Sequence, residues 1–298
     1  MIIPAYLKAG DKVGIVSPAG KVPKEQVLKA IKTLESWGLE VLLGKHVFGQ
    51  HFQYASYDEN RLSDFQYMLD DNGIKAILCS RGGYGSIRII DQLDFAKLNQ
   101  HPKWLIGFSD ISLLHAHINH NMHICSIHGP MTHTLAAYPD DESSLNLKKA
   151  LFGEHLSYVV PFNLYNRRGE AGGQLIGGNL AILTSLLGSN ADFNPKGKIL
   201  FIEEIGEYVY RIDRMMWSLK RAGKLKGLAG LIVGQFTDIK DNNNPFGQSV
   251  HEIISEHVKD YNFPVCFGFP AGHEDINQPI LLGKEYRLSV NNMRTRLE

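Results

Sequence analysis

Short apolar runs alternate with helix-like segments through the first half of the chain, and this alternation restricts the possible folds most. Four of the runs have the length of a strand: residues 12–17, 40–43, 76–79 and 104–108. Between them, apolar residues recur at spacings of three and four, most clearly over residues 24–37, and this spacing is typical of one helix face. Strands that alternate with helices predict an α/β fold with a parallel sheet covered on both faces.

The pattern changes after about residue 150, which predicts a second, smaller domain. Residues 151–172 are polar and irregular and are interpreted as a linker. Beyond them we expect a helix over residues 175–187, followed by further strands and helices. The predicted organisation is an N-terminal parallel-sheet α/β domain over residues 1–150 and a mixed α/β domain over residues 173–298.

The charge balance excludes several classes of partner. Lys and Arg total 31, and so do Asp and Glu, so the formal net charge is zero. Nucleic-acid binders usually carry a basic excess, and membrane anchors often carry a polybasic segment. No apolar run approaches the roughly 20 residues of a membrane span, and no signal-peptide pattern is present. We therefore expect a cytoplasmic protein that binds neither nucleic acid nor membrane.

Ser109 lies at a strand–turn–helix transition in the segment LIGFSDISLLH, residues 105–115. This geometry exposes a hydroxyl group at the end of a sheet, as in the nucleophile elbow of hydrolases. The N-terminus of the following helix offers free N–H groups, including that of Asp110, to stabilise an oxyanion. Because G-x-S-x-x-S is not the complete elbow motif, an N-cap role for Ser109 or Asp110 stays open.

Three further segments follow predicted strands. Residues 80–86, SRGGYGS, place adjacent glycines where a backbone can approach a ligand closely, a plain tight turn being the alternative. Glu203 and Glu204 end an apolar strand, where a carboxylate can orient a histidine or form a solvated pair. His273 follows a Pro-Ala-Gly turn and is a candidate general base, although a loop histidine is often incidental. No dinucleotide fingerprint or P-loop occurs, so no nucleotide cofactor is expected.

Two rival interpretations concern metal binding and a thiol nucleophile. Histidines are frequent in one stretch, at His115, His117, His120, His123, His128 and His133. His115 and His117 are two residues apart on a predicted helix and face different ways, and no metal-binding motif occurs, so no metal is expected. Cys79 precedes the glycine turn, but a strand cysteine is more often a small buried hydrophobe.

The order of four motifs is more specific than any one of them. The motifs are Arg81-Gly82-Gly83-Tyr84-Gly85, Gly107-Phe108-Ser109-Asp110, Ile202-Glu203-Glu204-Ile205-Gly206-Glu207 and Gly272-His273. Together they resemble the LD-carboxypeptidase family of serine peptidases, which includes muramoyltetrapeptide carboxypeptidases and microcin C immunity proteins. The resemblance covers nearly the whole chain and implies an active site in the cleft between two domains.

The resemblance also implies residue roles. It assigns a catalytic triad to Ser109, Glu203 and His273, with Glu203 preferred because the family glutamate is the first acidic residue after the strand. It assigns the oxyanion hole to the backbone N–H groups of Gly83 and Asp110, and implies no cofactor and a homodimer. The implied reaction removes the terminal D-Ala from cytoplasmic murein tetrapeptides during peptidoglycan recycling.

The role of Arg81 and the choice among three hypotheses for the function stay open. Arg81 is a candidate to bind the free carboxylate of the substrate, because a guanidinium fork suits a carboxylate, or it is structural. No long extra segment that could bind a nucleotide separates Glu203 from His273, which favours murein peptides over a microcin C-type amidase acting on aminoacyl nucleotides. An inactive muropeptide-binding module is the third hypothesis, and the intact Ser, Glu and His positions argue against it.

Overall fold

The computed structural model describes residues 1–298 and consists of two sheets surrounded by helices. The strands are β1 (Lys12–Val16), β2 (Glu40–Leu43), β3 (Ile74–Cys79), β4 (Trp104–Gly107), β5 (Ser126–His128), β6 (Tyr158–Pro161), β7 (Gly169–Asn179), β8 (Ile199–Ile205), β9 (Gly230–Thr237), β10 (Val265–Phe267), β11 (Ile280–Leu282), β12 (Glu285–Val290) and β13 (Arg294–Leu297). The α-helices are α1 (Lys24–Ser36), α2 (Asp58–Asp70), α3 (Ala96–Gln100), α4 (Ser112–His117), α5 (Thr132–Ala137), α6 (Glu142–Phe152), α7 (Leu180–Ser185), α8 (Val209–Arg221) and α9 (Val250–Val258). No helix is both long and apolar enough to cross a membrane.

The first sheet has the strand order β11-β5-β4-β3-β1-β2, and β1 to β5 are parallel. All its strands except the edge strand β2 are largely buried. Successive side chains along a strand point to opposite faces, so neighbouring residues pack against helices on different sides of the sheet. Ile15 packs in the cluster that contains the apolar face of α1, and Val16 packs in the cluster that contains the apolar face of α2. This arrangement confirms the expected α/β class, with a parallel sheet covered by helices.

The second sheet has the order β10-β9-β8-β7-β12-β13-β6. Strands β7 to β10 are parallel, whereas β12, β13 and β6 are antiparallel. Apolar residues of α7, α8 and α9 pack with β8 and β9 in one buried cluster. The second half of the chain is therefore also a mixed α/β structure.

The structure differs from the sequence expectation in two neighbouring segments. Residues 151–172, interpreted as an irregular linker, contain β6 and the first residues of β7. Strand β6 is a short edge strand with alternating burial. Polar residues surround it in the sequence, so no strand pattern stands out there. Residues 175–179, expected to begin a helix, instead end β7, since a short apolar run does not distinguish a buried strand from a helix.

Strand β11 crosses from the second half of the chain into the first sheet. It pairs antiparallel with β5, so that Ile280 lies opposite His128. The chain therefore passes from β10, at the edge of the second sheet, to the edge of the first sheet within residues 268–279. This connecting loop contains His273, so it reaches from one sheet to the other.

Candidate active site

Ser109 follows the carboxyl end of β4 and begins a 3-10 turn, Ser109–Ile111, that leads into α4. Its φ of 63° lies in the left-handed region, which residues other than glycine rarely adopt. A sharp turn of this kind exposes a side chain at the end of a sheet. His115 Nε2 donates to the carbonyl oxygen of Gly107 at 2.8 Å and so fixes the last residue of the strand.

Neither Ser109 nor Asp110 caps a helix. No side chain caps the turn, and the carboxylate of Asp110 instead accepts from the backbone N–H of Ser86 at 2.9 Å. Asp110 is buried, and this burial raises the pKa of its carboxyl group. The Asp110 side chain therefore anchors the segment after β3, and it does not hydrogen-bond to the backbone at the start of α4.

The glycine loop after β3 lies directly against Ser109. A Cβ atom on Gly82 would be 2.8 Å from Ser109 Cβ and 3.1 Å from Ser109 Oγ, so only glycine fits there. Gly83 has a φ of 103°. Its backbone N–H has no acceptor within the protein. The N–H of Asp110 has no such acceptor either. The carbonyl of Gly107, three residues earlier, accepts instead from the N–H of Gly129 and from His115 Nε2.

His273 and Glu203 form a close hydrogen-bonded pair. His273 Nδ1 lies 2.7 Å from Glu203 Oε2, and the glutamate is fully buried. A carboxylate accepts here, so Nδ1 carries the proton and Nε2 is left for another partner. The ring of Phe108 contacts the imidazole edge to face, with 4.8 Å between ring centroids. The imidazole is therefore oriented on one side by a carboxylate and packed on another by the residue before Ser109.

Glu204 does not contact His273 and instead accepts hydrogen bonds that hold neighbouring segments together. It accepts from Asn179 Nδ2 at 2.9 Å, from the N–H of Ala181 at 2.7 Å and from its neighbour Ile205. Burial raises the pKa of this carboxyl group. Successive side chains on a strand point to opposite faces, so the two glutamates cannot share one partner. Of the two, Glu203 is the carboxylate that contacts the histidine.

A cleft of about 600 Å³ brings these elements together. Ser109, His273, Gly83 and Arg81 line it, and Glu203 lies behind His273. Arg81 is exposed, and its Nη1 donates to the backbone carbonyl of Lys21 at 3.0 Å. One nitrogen of its guanidinium group is thus fixed by the protein, which holds the group at the cleft wall.

The cleft also has polar lining residues that the sequence did not single out as site residues: Gln26, Thr134, Glu274, Asp275 and Asn277. Glu274 and Asp275 follow His273 directly, so the string GHED was an available signal for them. Gln26 and Thr134 come from α1 and α5, and no local pattern marks them.

The rival interpretations find no geometric support. No three His, Cys, Asp or Glu side chains lie close enough together to hold a metal ion. Of the six clustered histidines, His115 and His128 are fully buried and His133 lines the cleft. Cys79 is also buried, and burial raises the pKa of its thiol far above the usual range, so it is a poor nucleophile.

The arrangement suits acyl transfer. A serine in a strained turn, a histidine held by a buried carboxylate and two unpaired N–H groups are the parts of a Ser–His–acid hydrolase. The two N–H groups belong to segments that flank the serine, which is where an oxyanion would need donors.

Comparison with known proteins gives matches over both halves of the chain. The family model for the LD-carboxypeptidase N-terminal domain matches residues 13–129, and the model for the LD-carboxypeptidase C-terminal domain matches residues 172–288. The chain is 36% identical over 274 residues to a probable murein peptide carboxypeptidase of Bacillus subtilis, covering 91% of this chain and 86% of that protein. It is 30% identical over 295 residues to the murein tetrapeptide carboxypeptidase of Pseudomonas aeruginosa, covering 95% and 94%.

Solved structures share the architecture. The muramoyltetrapeptide carboxypeptidase from Oxalobacter formigenes is 27% identical with a TM-score of 0.86, covering 96% of this chain and 97% of that one. A microcin C7 self immunity protein, solved with aspartyl sulfamoyl adenosine, is 20% identical with a TM-score of 0.87, covering 100% and 98%. At that identity the second likeness concerns the fold alone.

Proposed function

Because this chain belongs to the LD-carboxypeptidase family, we propose that it removes the terminal D-Ala of murein tetrapeptides with a triad of Ser109, His273 and Glu203. It is a serine-type LD-carboxypeptidase, as its relatives are named murein peptide and murein tetrapeptide carboxypeptidases. The observation that carries the residue assignment is the 2.7 Å contact between His273 Nδ1 and Glu203 Oε2. That pair opens onto the cleft that Ser109 lines from the other half of the chain.

In the proposed reaction, His273 Nε2 takes the proton of the Ser109 hydroxyl as Oγ attacks the carbonyl carbon before the terminal D-Ala. Glu203 holds the tautomer that carries its proton on Nδ1 and stabilises the imidazolium that forms. The N–H groups of Gly83 and Asp110 donate to the oxyanion, and losing one such donor typically costs on the order of 10²–10³ in rate.

The tetrahedral intermediate collapses when His273 returns the proton to the leaving amine, so D-Ala departs as the free amino acid and Ser109 keeps the acyl group. A water molecule then attacks the ester, with His273 again taking and returning a proton. Arg81 is proposed to bind the carboxylate that an exopeptidase substrate presents, since a guanidinium gives charge-assisted hydrogen bonds to a carboxylate.

The site is proposed to lie between an N-terminal domain, residues 1–150, that supplies Ser109 and a C-terminal domain, residues 173–298, that supplies Glu203 and His273. Residues 151–172 connect the two. The buried free cysteines Cys79, Cys125 and Cys266 favour a reducing compartment, so we propose that the enzyme acts in the cytoplasm on recycled peptidoglycan fragments. We also propose that the enzyme is a homodimer, which light scattering of the purified protein tests. We propose further that it binds neither nucleic acid nor membrane.

The function is tested by incubating the purified protein with murein tetrapeptides that contain diaminopimelate or lysine as the third residue. We expect stoichiometric release of D-Ala, and we expect Ser109→Ala to lower kcat by about 10³-fold or more. Cys79→Ala is the matched control, because it removes the neighbouring rival nucleophile from β3 and should retain activity. Undiminished activity of Ser109→Ala would reject the triad, and activity confined to aminoacyl nucleotides would reject the murein substrate.

A further inference from the structure

The loop that carries His273 has almost no backbone support of its own. Residues 272–276 lie outside every helix and strand, and they make no backbone–backbone hydrogen bond. The nearest such bonds are those of Ala271 and Gln278, on either side. The position of the imidazole therefore depends on side chains that hold this loop.

Gln235, on β9, holds the loop at two points beyond His273. Its Oε1 accepts from the backbone N–H of Glu274 at 2.9 Å, and its Nε2 donates to the carbonyl of Ile276 at 2.8 Å. Its own backbone N–H donates to the carbonyl of Ala271 at 3.0 Å, which fixes the chain before His273. A single residue thus brackets the histidine from both directions.

Packing against Gln235 also explains the glycine before His273. Gly272 has a φ of 144°, and a Cβ atom there would lie 2.8 Å from Gln235 Cβ and 3.0 Å from Gln235 Oε1. The loop is pressed onto the glutamine too closely for any side chain to intervene. Asn277 Oδ1 also accepts from the N–H of Gly272 at 3.0 Å. Gln235 is 8% exposed, so water competes weakly for its hydrogen bonds.

We propose that Gln235 is a positioning residue for catalysis, which sets the place of the His273 imidazole between Glu203 and Ser109. This proposal rests on the proposed role of His273 as general base. Gln235 does not line the cleft with Ser109, so it acts through the loop and not on the substrate. A displacement of about 1 Å in a reacting group costs on the order of 10²-fold in rate. Loss of the bonds that hold this loop should therefore lower kcat.

The test compares Gln235→Met with a matched variant elsewhere. Gln235→Met keeps the length of the side chain and removes both side-chain hydrogen bonds. Gln66 has a similar bonding pattern away from the cleft, since its Oε1 accepts from the N–H of Asp94 at 2.8 Å, and its Nε2 donates to the carbonyl of Asp94 at 2.9 Å and to Asp70 Oδ1 at 3.1 Å. We expect Gln235→Met to lower kcat at least tenfold with KM within twofold of wild type, and Gln66→Met to leave both unchanged.

A spectroscopic measurement separates positioning from general stability. In the wild-type protein, the proton between His273 Nδ1 and Glu203 Oε2 should give a low-field proton resonance. We expect Gln235→Met to shift or broaden this signal, and Gln66→Met to retain it. Gln235→Asn keeps both polar groups but is one methylene shorter, so it cannot make both bonds at once. It should also lower kcat, and it carries the test if Gln235→Met does not fold.

Two results would overturn the proposal. One is a folded Gln235→Met with kcat within twofold of wild type and an unchanged low-field signal. The other is an equal loss of kcat in Gln66→Met, which would assign the effect to general stability. If the wild-type protein releases no D-Ala, the proposed function fails, whereas the His273 signal still decides whether Gln235 positions the imidazole.

Discussion

The backbone N–H of Asn179 donates to Ser112 Oγ at 2.9 Å, and this bond joins the end of β7 to the first residue of α4. Ser112 is three residues beyond Ser109. The side chain of Asn179 donates in turn to Glu204, the neighbour of Glu203. A short path of hydrogen bonds therefore connects the turn that holds the serine with the strand that holds the carboxylate of the histidine pair.

Gly178→Ala should disrupt this connection. Gly178 has a φ of 140°, and a Cβ atom there would lie 2.4 Å from Ser112 Oγ. We expect a loss of about 1–3 kcal/mol in the free energy of unfolding, together with reduced D-Ala release, because both the backbone conformation and the contact are strained. Urea unfolding and steady-state kinetics measure the two effects. Gly172→Ala, in the same strand with no atom within 4 Å of its added Cβ, is the control and should change neither.

Glu203→Gln and Glu204→Gln should separate catalysis from stability. The first variant can present an amide N–H₂ to His273 and favour the wrong tautomer, so we expect kcat to fall by about 10²–10⁴-fold with a small change in unfolding free energy. The second places an amide where a carboxylate accepts from Asn179, Ala181 and Ile205, so we expect a loss of about 1–3 kcal/mol in stability. The opposite result, with Glu204→Gln inactive but stable, would contradict the proposed triad.

Arg81→Met should impair recognition of the free carboxylate. A hydrogen bond to a charged group contributes about 1.5–3 kcal/mol, which corresponds to roughly 10–150-fold in kcat/KM. The loss should be large for a tetrapeptide with a free terminal carboxylate and small for the corresponding amide, which is the measurement that identifies the contact. Lys21→Met is the control, because only the backbone carbonyl of Lys21 contacts Arg81. Equal losses on both substrates would instead assign Arg81 a structural role.

The local parts of this fold and site could be predicted from the sequence. Strands β1 to β4 alternate with helical patterns, and the serine turn, the glycine loop and the two glutamates each follow an apolar run. These features depend on residues that are close in sequence, so they leave a readable pattern. The choice between Glu203 and Glu204 came from the family resemblance, and the structure gives its physical reason in their opposite directions on β8.

The parts that could not be predicted depend on contacts between distant residues. Strand β11 joins the first sheet beside His128, although it belongs to the second half of the chain. Gln235 reaches the His273 loop across about forty residues of sequence, and no periodicity marks it. Strand β6 is formed only because β13 pairs with it, so the polar segment around it gave no strand pattern. These long-range pairings exist only in the folded structure, so no local sequence pattern predicts them.

Two buried histidines make the stability of the protein dependent on pH. Burial lowers the pKa of His115 to about 4, and its neutral ring donates to Gly107 and contacts Ser126 Oγ. Burial also lowers the pKa of His128 well below its usual value, and both of its ring nitrogens lack a partner. In the unfolded chain each histidine titrates near about 6.5, so below that pH the unfolded state binds more protons than the folded state.

The free energy of unfolding should therefore fall as the pH drops below about 6.5. Each histidine contributes up to about 1.4 kcal/mol per pH unit, and the contribution of His115 levels off near pH 4, where its folded form also binds a proton. Urea unfolding between pH 5 and 7 should show this slope. His128→Leu should reduce the slope of unfolding free energy against pH by up to about 1.4 kcal/mol per pH unit. His101→Asn, at an exposed position, should leave the slope unchanged. A slope that His128→Leu does not alter would mean that His128 is protonated equally in the folded and unfolded states.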